Sequence, residues 1–192
     1  MTPDTVALPD DPALARVLSA LSAEGAQALV VGGAVRNALL GEPIADIDIA
    51  TATPPGDTVR LAEAAGLRTV PTGIDHGTVT IIADGRGFEA TTFRRDVETD
   101  GRHAIVAYSD NIDDDARRRD FTMNALYATA DGRVLDPVGG LADLAARRLR
   151  FVGDARARIT EDYLRILRFF RFLAWYGREA DMQALAACHE LR

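Results

Sequence analysis

The sequence predicts an α+β fold, a mixed β-sheet with flanking helices followed by an all-helical segment. Three observations point to it. Short apolar runs of strand character alternate with segments of helical period between residues 26 and 150. Asp84-Gly85-Arg86-Gly87 separates two of those runs, a hairpin signal that makes them antiparallel neighbours. Beyond residue 151 the apolar residues recur at helical spacing instead. The expected parts are an N-terminal helix packed on the main domain (1–25), the main domain itself (26–150) and a helical neck (151–192).

Asp11 and Pro12 read as the N-cap and first residue of a helix carrying Leu14, Val17, Leu18 and Leu21, with a stop at Gly25. Ala28–Val31 is a short buried strand ending in Gly32-Gly33, and residues 34–40 form a brief helix stopped by Gly41. Residues 44–50 alternate isoleucine and aspartate in strand fashion, interrupted once by Ala45. Pro54-Pro55 opens a helix that runs to Ala65, before Gly66. Strands are expected at residues 68–71, 78–83 and 88–93. Residues 94–117 read as a long polar loop, a kind that is usually functional or mobile. Residues 121–126 read as helical, and short strands flank Asp131-Gly132 and surround residues 149–152. One helix is expected over residues 160–176, with Thr160 as N-cap and Glu161 and Asp162 in its first turn.

Hydrophobic residues make up 47% and charged residues 27% of the 192 residues, which excludes a disordered or collagen-like protein. No apolar run approaches the ~20 residues that cross a bilayer, and the acidic N-terminus lacks the order of a signal peptide. Cys188 is the only cysteine, so no internal disulfide can form and the expected compartment is the reducing cytoplasm. The net charge is −7, and all 22 basic residues are arginine, a planar multi-donor group suited to phosphates and base edges. Residues 147–178 hold nine of them against three acids, whereas residues 1–146 hold 12 against 23. That imbalance argues against uniform electrostatic binding of nucleic acid and allows a localised polyanion site.

On a strand, Asp46 and Asp48 send their side chains to one face while Ile47 and Ile49 enter the core. Two carboxylates so close repel unless a cation lies between them, and hard oxygen donors select magnesium. The alternative is a solvated strand face. Just upstream, Gly32-Gly33 allows close backbone approach at a helix N-terminus, which is an anion site, and Arg36 lies on that helix's first turn. A phosphate clamp ahead of a metal pair suggests a nucleoside triphosphate with its metal.

Leu29-Val-Val-Gly-Gly-Ala-Val-Arg-Asn37, followed by Asp46-Ile-Asp-Ile-Ala-Thr51, resembles the head-domain signature of the bacterial class II tRNA nucleotidyltransferases. These are the CCA-adding enzymes, whose head is polymerase-β-like. The resemblance continues through Glu89-Ala-Thr-Thr-Phe-Arg94, Arg118-Arg-Asp-Phe-Thr-Met-Asn-Ala125, Asp136-Pro-Val-Gly-Gly140 and Glu161-Asp-Tyr-Leu-Arg-Ile-Leu-Arg168. It implies template-independent addition of C and A to the tRNA 3′ end from CTP and ATP, with Mg2+. It assigns Asp46 and Asp48 as catalytic metal ligands, and Gly32, Gly33 and Arg36 as triphosphate contacts. Arg119 becomes a nucleotide ligand and Asp120 a sugar or scaffold contact. Glu89 is either a third carboxylate near the metals or a solvated strand residue. The family's usual acid after the motif arginine is Asn37 here.

Asp162 and Arg165, three apart, would be surface neighbours on a helix. An ionised Asp only accepts and an Arg only donates. Side by side they match the edge of cytosine or adenine and mismatch guanine and uracil. The alternative is an ordinary ion pair of slight energy, and the resemblance assigns base reading instead. Arg168 and Arg171 continue the stripe, toward the triphosphate or as braces for the readers. Relatives that add only CC have a shortened loop after the strand that ends here near Arg94, and this one looks full length. Poly(A) polymerases share the head motifs and are the nearest alternative. Family members also carry helical body and tail domains that hold tRNA, so weak tRNA binding is expected of these 192 residues alone. From another class, a nucleotide-binding or RNA-interaction module without catalysis fits the same residues.

Overall fold

Asp11 accepts hydrogen bonds from the N–H groups of Ala13 and Leu14 (3.0 and 3.3 Å), and Pro12 opens the first helix, as a capped start requires. In this computed structural model the elements are α1 (Pro12–Leu21), β1 (Ala28–Val31), α2 (Gly33–Leu40), β2 (Asp48–Thr51), α3 (Pro55–Ala64), β3 (Arg68–Gly73), β4 (Thr78–Ala83), β5 (Arg86–Thr92), β6 (Arg94–Asp100) and β7 (His103–Tyr108). There follow α4 (Ile112–Arg117), β8 (Tyr127–Ala128), β9 (Val134–Leu135), α5 (Gly140–Ala145), β10 (Arg148–Leu149), α6 (Ala155–Glu161), α7 (Leu164–Tyr176), β11 (Glu179–Ala180) and α8 (Met182–Glu190). The structure describes residues 5–100 and 103–192.

The main sheet has the order β3-β4-β5-β2-β1-β8-β9. Its pairs are antiparallel except for β2 and β5, which run parallel. Strand alternation sorts the two faces. Val30, Ile49, Ala90 and Val79 stand in register on one face. They share a buried cluster with Leu14, Val17, Leu18 and Leu21 of α1 and Leu61 and Ala62 of α3. One residue along, Val31, Asp48, Glu89 and Thr80 stand in register on the opposite face. There the apolar packing is confined to a smaller cluster around Leu29, Ala50, Phe93 and Tyr127. The pleat that buries Ile49 is what delivers Asp48 to the open face.

The helical segment is fastened to the sheet domain by rings. Phe169 stacks on Phe151 (5.5 Å between centroids), and Phe172 lies 5.3 Å from Phe121. A parallel β10–β11 bridge ties its far end back to the same region. At the start of α5, a Cβ on Gly140 would lie 2.1 Å from the Thr122 carbonyl oxygen, so only glycine permits that approach.

Four expectations are corrected. The strand expected from residue 44 begins only at Asp48, the residue opposite Val31, where its antiparallel partner β1 ends. The expected polar loop is a β6–β7 ribbon, paired from Arg94↔Tyr108 to Asp100↔His103, followed by α4. That ribbon stands outside the main sheet, so it need not show the apolar alternation of a half-buried strand. Residues 121–126 contain only a single 3-10 turn, Thr122–Asn124. The single helix expected over 160–176 is two, broken at Asp162 and Tyr163. Asp162 is extended (φ −158°, ψ 104°) and accepts from the N–H of Leu164, while the Thr160 hydroxyl bonds back to the Arg156 and Ala157 carbonyls inside α6. Among the described residues no helix is long and apolar enough to cross a membrane.

Candidate active site

Asp48 and Glu89, opposed on adjacent parallel strands, form the floor of a cleft of about 500 Å³. Arg94, Arg118, Arg119, Asp120, Asp162, Arg165 and Arg168 also line it. A second cavity of about 540 Å³ shares Asp48 and Glu89 and adds Asp46 and Arg86. Asp46 is exposed in the segment before β2, so the two aspartates approach the same ground from a loop and a strand end. The Asp48 carboxyl is pushed above its ordinary range, by withdrawal from water first and then by the charges of Glu89 and Asp46, with Arg119 opposing. Among the described residues no three His, Cys, Asp or Glu side chains gather closely enough to enclose a metal by themselves.

At the head of α2, Gly32 takes φ +70° and ψ −123°, a conformation that L side chains rarely adopt. Its N–H bonds to Leu126 O (3.0 Å), and Arg119 Nη1 lies 3.6 Å from where its Cβ would be. The glycine turn and the Arg-Asp motif are therefore neighbours across the sheet.

The arginines are held by carboxylates, of which Asp115 is buried. Asp115, with a side chain only 1% exposed, accepts from Arg118 Nε and Nη2 (2.9 and 2.7 Å) and from Arg119 Nε and Nη2 (3.1 and 2.8 Å). It also accepts from the Tyr127 hydroxyl (2.8 Å), which in turn accepts from Arg119 Nε (3.0 Å). Burial disfavours ionisation of Asp115, but Arg119, Arg118 and the Tyr127 hydroxyl outweigh it and hold the carboxyl below the usual range. Asp120 accepts from Arg168 Nε and Nη2 (2.9 and 2.5 Å) through Oδ2, and from Phe121 N–H and Asn124 Nδ2 through Oδ1. Arg165 donates to Glu161 (2.6 Å) and to the Arg158 carbonyl (2.8 Å).

A family model described as the poly A polymerase head domain matches residues 28–150, the stretch that carries the glycine turn, both aspartates and the Arg-Asp motif. The chain belongs to this family. Mouse mitochondrial CCA tRNA nucleotidyltransferase 1 is 46% identical over 153 residues, covering 79% of this chain and 35% of that protein. The Bacillus stearothermophilus CCA-adding enzyme, solved in complex with CTP, superposes with a TM-score of 0.82 at 36% identity, over 92% of this chain and 43% of that one. A tRNA nucleotidyltransferase solved with a primer tRNA and an incoming ATP analog superposes with a TM-score of 0.74 at 26% identity, over 91% of this chain and 49% of that one. The chain thus spans between about a third and a half of the length of these relatives.

The head-domain family was identifiable from the motif order, and the polymerase-β-like head agrees with it. Asp48, Glu89, Arg119, Asp120, Asp162, Arg165 and Arg168 meet in the one cleft. Arg36 is not among its walls. Burial leaves it 6% exposed, bonded to Asn124 and Asn37 and lying over Tyr176. Arg171 is also outside, lying over Phe172 and Trp175 on the exposed side of α7, because each three-residue step falls about 60° short of a full helical turn and carries the stripe around the helix. The ion pair between Asp162 and Arg165, the alternative to base reading, is not formed among the described residues; Arg165 reaches back to Glu161 instead. Asp115 was missed. Its spacing of three and four from Arg118 and Arg119 is the signal for helical ion pairs, hidden within the run Asp113-Asp114-Asp115.

Proposed function

We propose that this chain holds the nucleotide-binding and catalytic parts of an enzyme that adds C and A, without a template, to the tRNA 3′ end from CTP and ATP. In this reading residues 26–150 are the head and residues 151–192 begin the base-reading neck. One observation carries it: Asp48 and Glu89, paired across parallel strands, share one cleft with five arginines, Arg94, Arg118, Arg119, Arg165 and Arg168. Carboxylates together with guanidinium groups suit a substrate that brings both a metal and phosphates.

Asp46 and Asp48, with Glu89 beside them, would hold divalent cations. Withdrawal from water raises the Asp48 carboxyl first, and the charges of Glu89 and Asp46 add to it; that like-charge part is what a cation relieves, and these hard oxygen donors suit magnesium. Two carboxylates suffice where phosphates and water complete the shell. When bound, a pair of such ions supplies acidity to the primer hydroxyl and neutralises charge on the departing pyrophosphate. Gly32 and Gly33 admit the triphosphate to the N–H groups that begin α2, and Arg119 neutralises phosphate charge. Asp120, its carboxylate shared with Arg168, meets the sugar. Asp162 accepts from the base amino group, and Arg165, steadied by Glu161, donates to the ring nitrogen. The 3′-hydroxyl oxygen bonds to the α-phosphorus as the bond to pyrophosphate breaks.

Incorporation of labelled CTP and ATP into tRNA lacking its 3′ end tests this, with Asp46→Ala and Asp48→Ala as controls. The expected result is addition of one to three nucleotides, lost about 10³-fold in both variants, the scale of removing a group that acts on the transition state. Incorporation indifferent to Asp48 would refute it. The family's description favours one rival, poly(A) addition, which predicts long tracts of A and no use of CTP.

A further inference from the structure

Arg36 belongs to the glycine-glycine helix, yet its guanidinium lies in the seam between α2 and α7. Nη1 donates to Asn124 Oδ1 at 2.5 Å, and Nε and Nη2 donate to Asn37 Oδ1 at 3.1 and 2.9 Å. Its centre is 4.0 Å from the Tyr176 ring centroid and 5.3 Å from that of Phe172, close enough for cation–π attraction. Both rings belong to the C-terminal half of α7, a helix of 13 residues. Asp162 and Arg165 stand at its other end, ~20 Å away at 1.5 Å per residue. Midway, Arg168 fastens the same helix to Asp120. A stiff helix held at its middle and its far end presents its near end at a fixed height above the sheet.

We propose that Arg36 is a positioning residue for base selection, locking α7 so that Asp162 and Arg165 keep a set distance from Asp48. The proposal rests on the nucleotide-transfer reading. Residue 37 extends the clamp: Asn37 Nδ2 donates to Pro43 O (2.7 Å) while its Oδ1 receives Arg36. An ionised Asp at that position could accept but not donate, so Asn37 links the clamp to the turn that leads into Asp46.

A phosphate ligand and a positioning residue fail differently. Phosphates are common to all four nucleotides, so loss of a phosphate ligand weakens every one alike. Loss of position blurs the choice among bases. Arg36→Met and Tyr176→Ala are compared with Tyr176→Phe in the full chain, by competition of CTP against UTP and by hydrogen exchange of the α7 amides. Arg36→Met and Tyr176→Ala are expected to lower the preference for CTP about tenfold, the effect of one cation–π contact of ordinary strength, and to speed α7 exchange. Tyr176→Phe keeps the ring and is expected to keep both properties. An equal loss for all nucleotides, with preference and exchange intact, overturns the proposal. If the unaltered chain does not prefer CTP over UTP, the transfer reading is what fails. Exchange then decides the clamp by itself: faster α7 amides in Arg36→Met support it, and unchanged ones overturn it.

Discussion

Asp115→Asn removes one charge from beneath two arginines of the cleft while keeping the shape of the side chain. The cost can be worked from the contacts. Asp115 accepts four guanidinium hydrogen bonds and one from a hydroxyl, and its side chain is 1% exposed. Breaking a buried ion pair from one side costs ~3–5 kcal/mol. Here Arg118 and Arg119 are 19% and 21% exposed, so water recovers part of the loss. The expected destabilisation is ~2–3 kcal/mol at pH 7, or roughly 5–10 °C in melting temperature for a chain of this size.

The pH dependence has a definite sign. The Asp115 carboxyl lies below its ordinary value in the folded chain. Such a group contributes stability above its unfolded pKa and loses it as the pH falls through the folded one. The gap between wild type and Asp115→Asn should therefore be full at neutral pH and close below a pH of about 4. Urea unfolding of both proteins from pH 7 down to pH 2 measures it. A gap under ~0.5 kcal/mol at pH 7, the scatter of an ordinary surface change, or one that persists undiminished in acid, would mean that the Asp115 charge does not anchor the two arginines.

Three further outcomes are expected. Asp162→Ala should relax base choice toward UTP and GTP by ~10- to 100-fold, since an unpaired polar group no longer penalises the wrong base; unaltered misincorporation ratios would remove the assignment. Gly140→Ala should lower the urea midpoint by ~3 kcal/mol equivalent, because its Cβ would press on a backbone oxygen that cannot swing aside; a wild-type midpoint would refute the close approach. Burial pushes the Cys188 thiol up to about 11 and leaves it 2% exposed. A thiol-reactive disulfide reagent at pH 8 should thus label it no faster than the chain unfolds, and rapid labelling of folded protein would contradict its packing.

Features set by neighbours in sequence were legible. Asp11-Pro12 caps α1, Gly41 closes α2 in the left-handed conformation, and Asp84-Gly85 turns the β4–β5 hairpin with both residues at positive φ. What could not be read depends on distant partners. Nothing within residues 44–50 says that β1 stops opposite Asp48. Among the described residues, the charged stretch from Arg94 pairs with its own return strand outside the main sheet, and no local pattern announces that. The break at Asp162 arises where one side chain prefers capping a new helix to continuing the old one. Most of the candidate site's residues were identifiable because their motifs are local. Tyr176 was not, because it meets Arg36 only once the fold is assembled; Asp115 and Glu161 bind their arginines at the local helical spacings of three and four, a signal that the run of acids around Asp115 obscured.

The lone parallel pairing in the sheet has a kinetic consequence. β3, β4 and β5 can zip up as successive hairpins, whereas β5 must find β2 across the intervening chain, a non-local step that closes late. A slip of one residue at that junction would turn Asp48 inward and Ile49 outward. Chains in which that junction is open consequently lack the paired acidic floor, and the nucleotide cleft is incomplete until this seam has shut in the right frame.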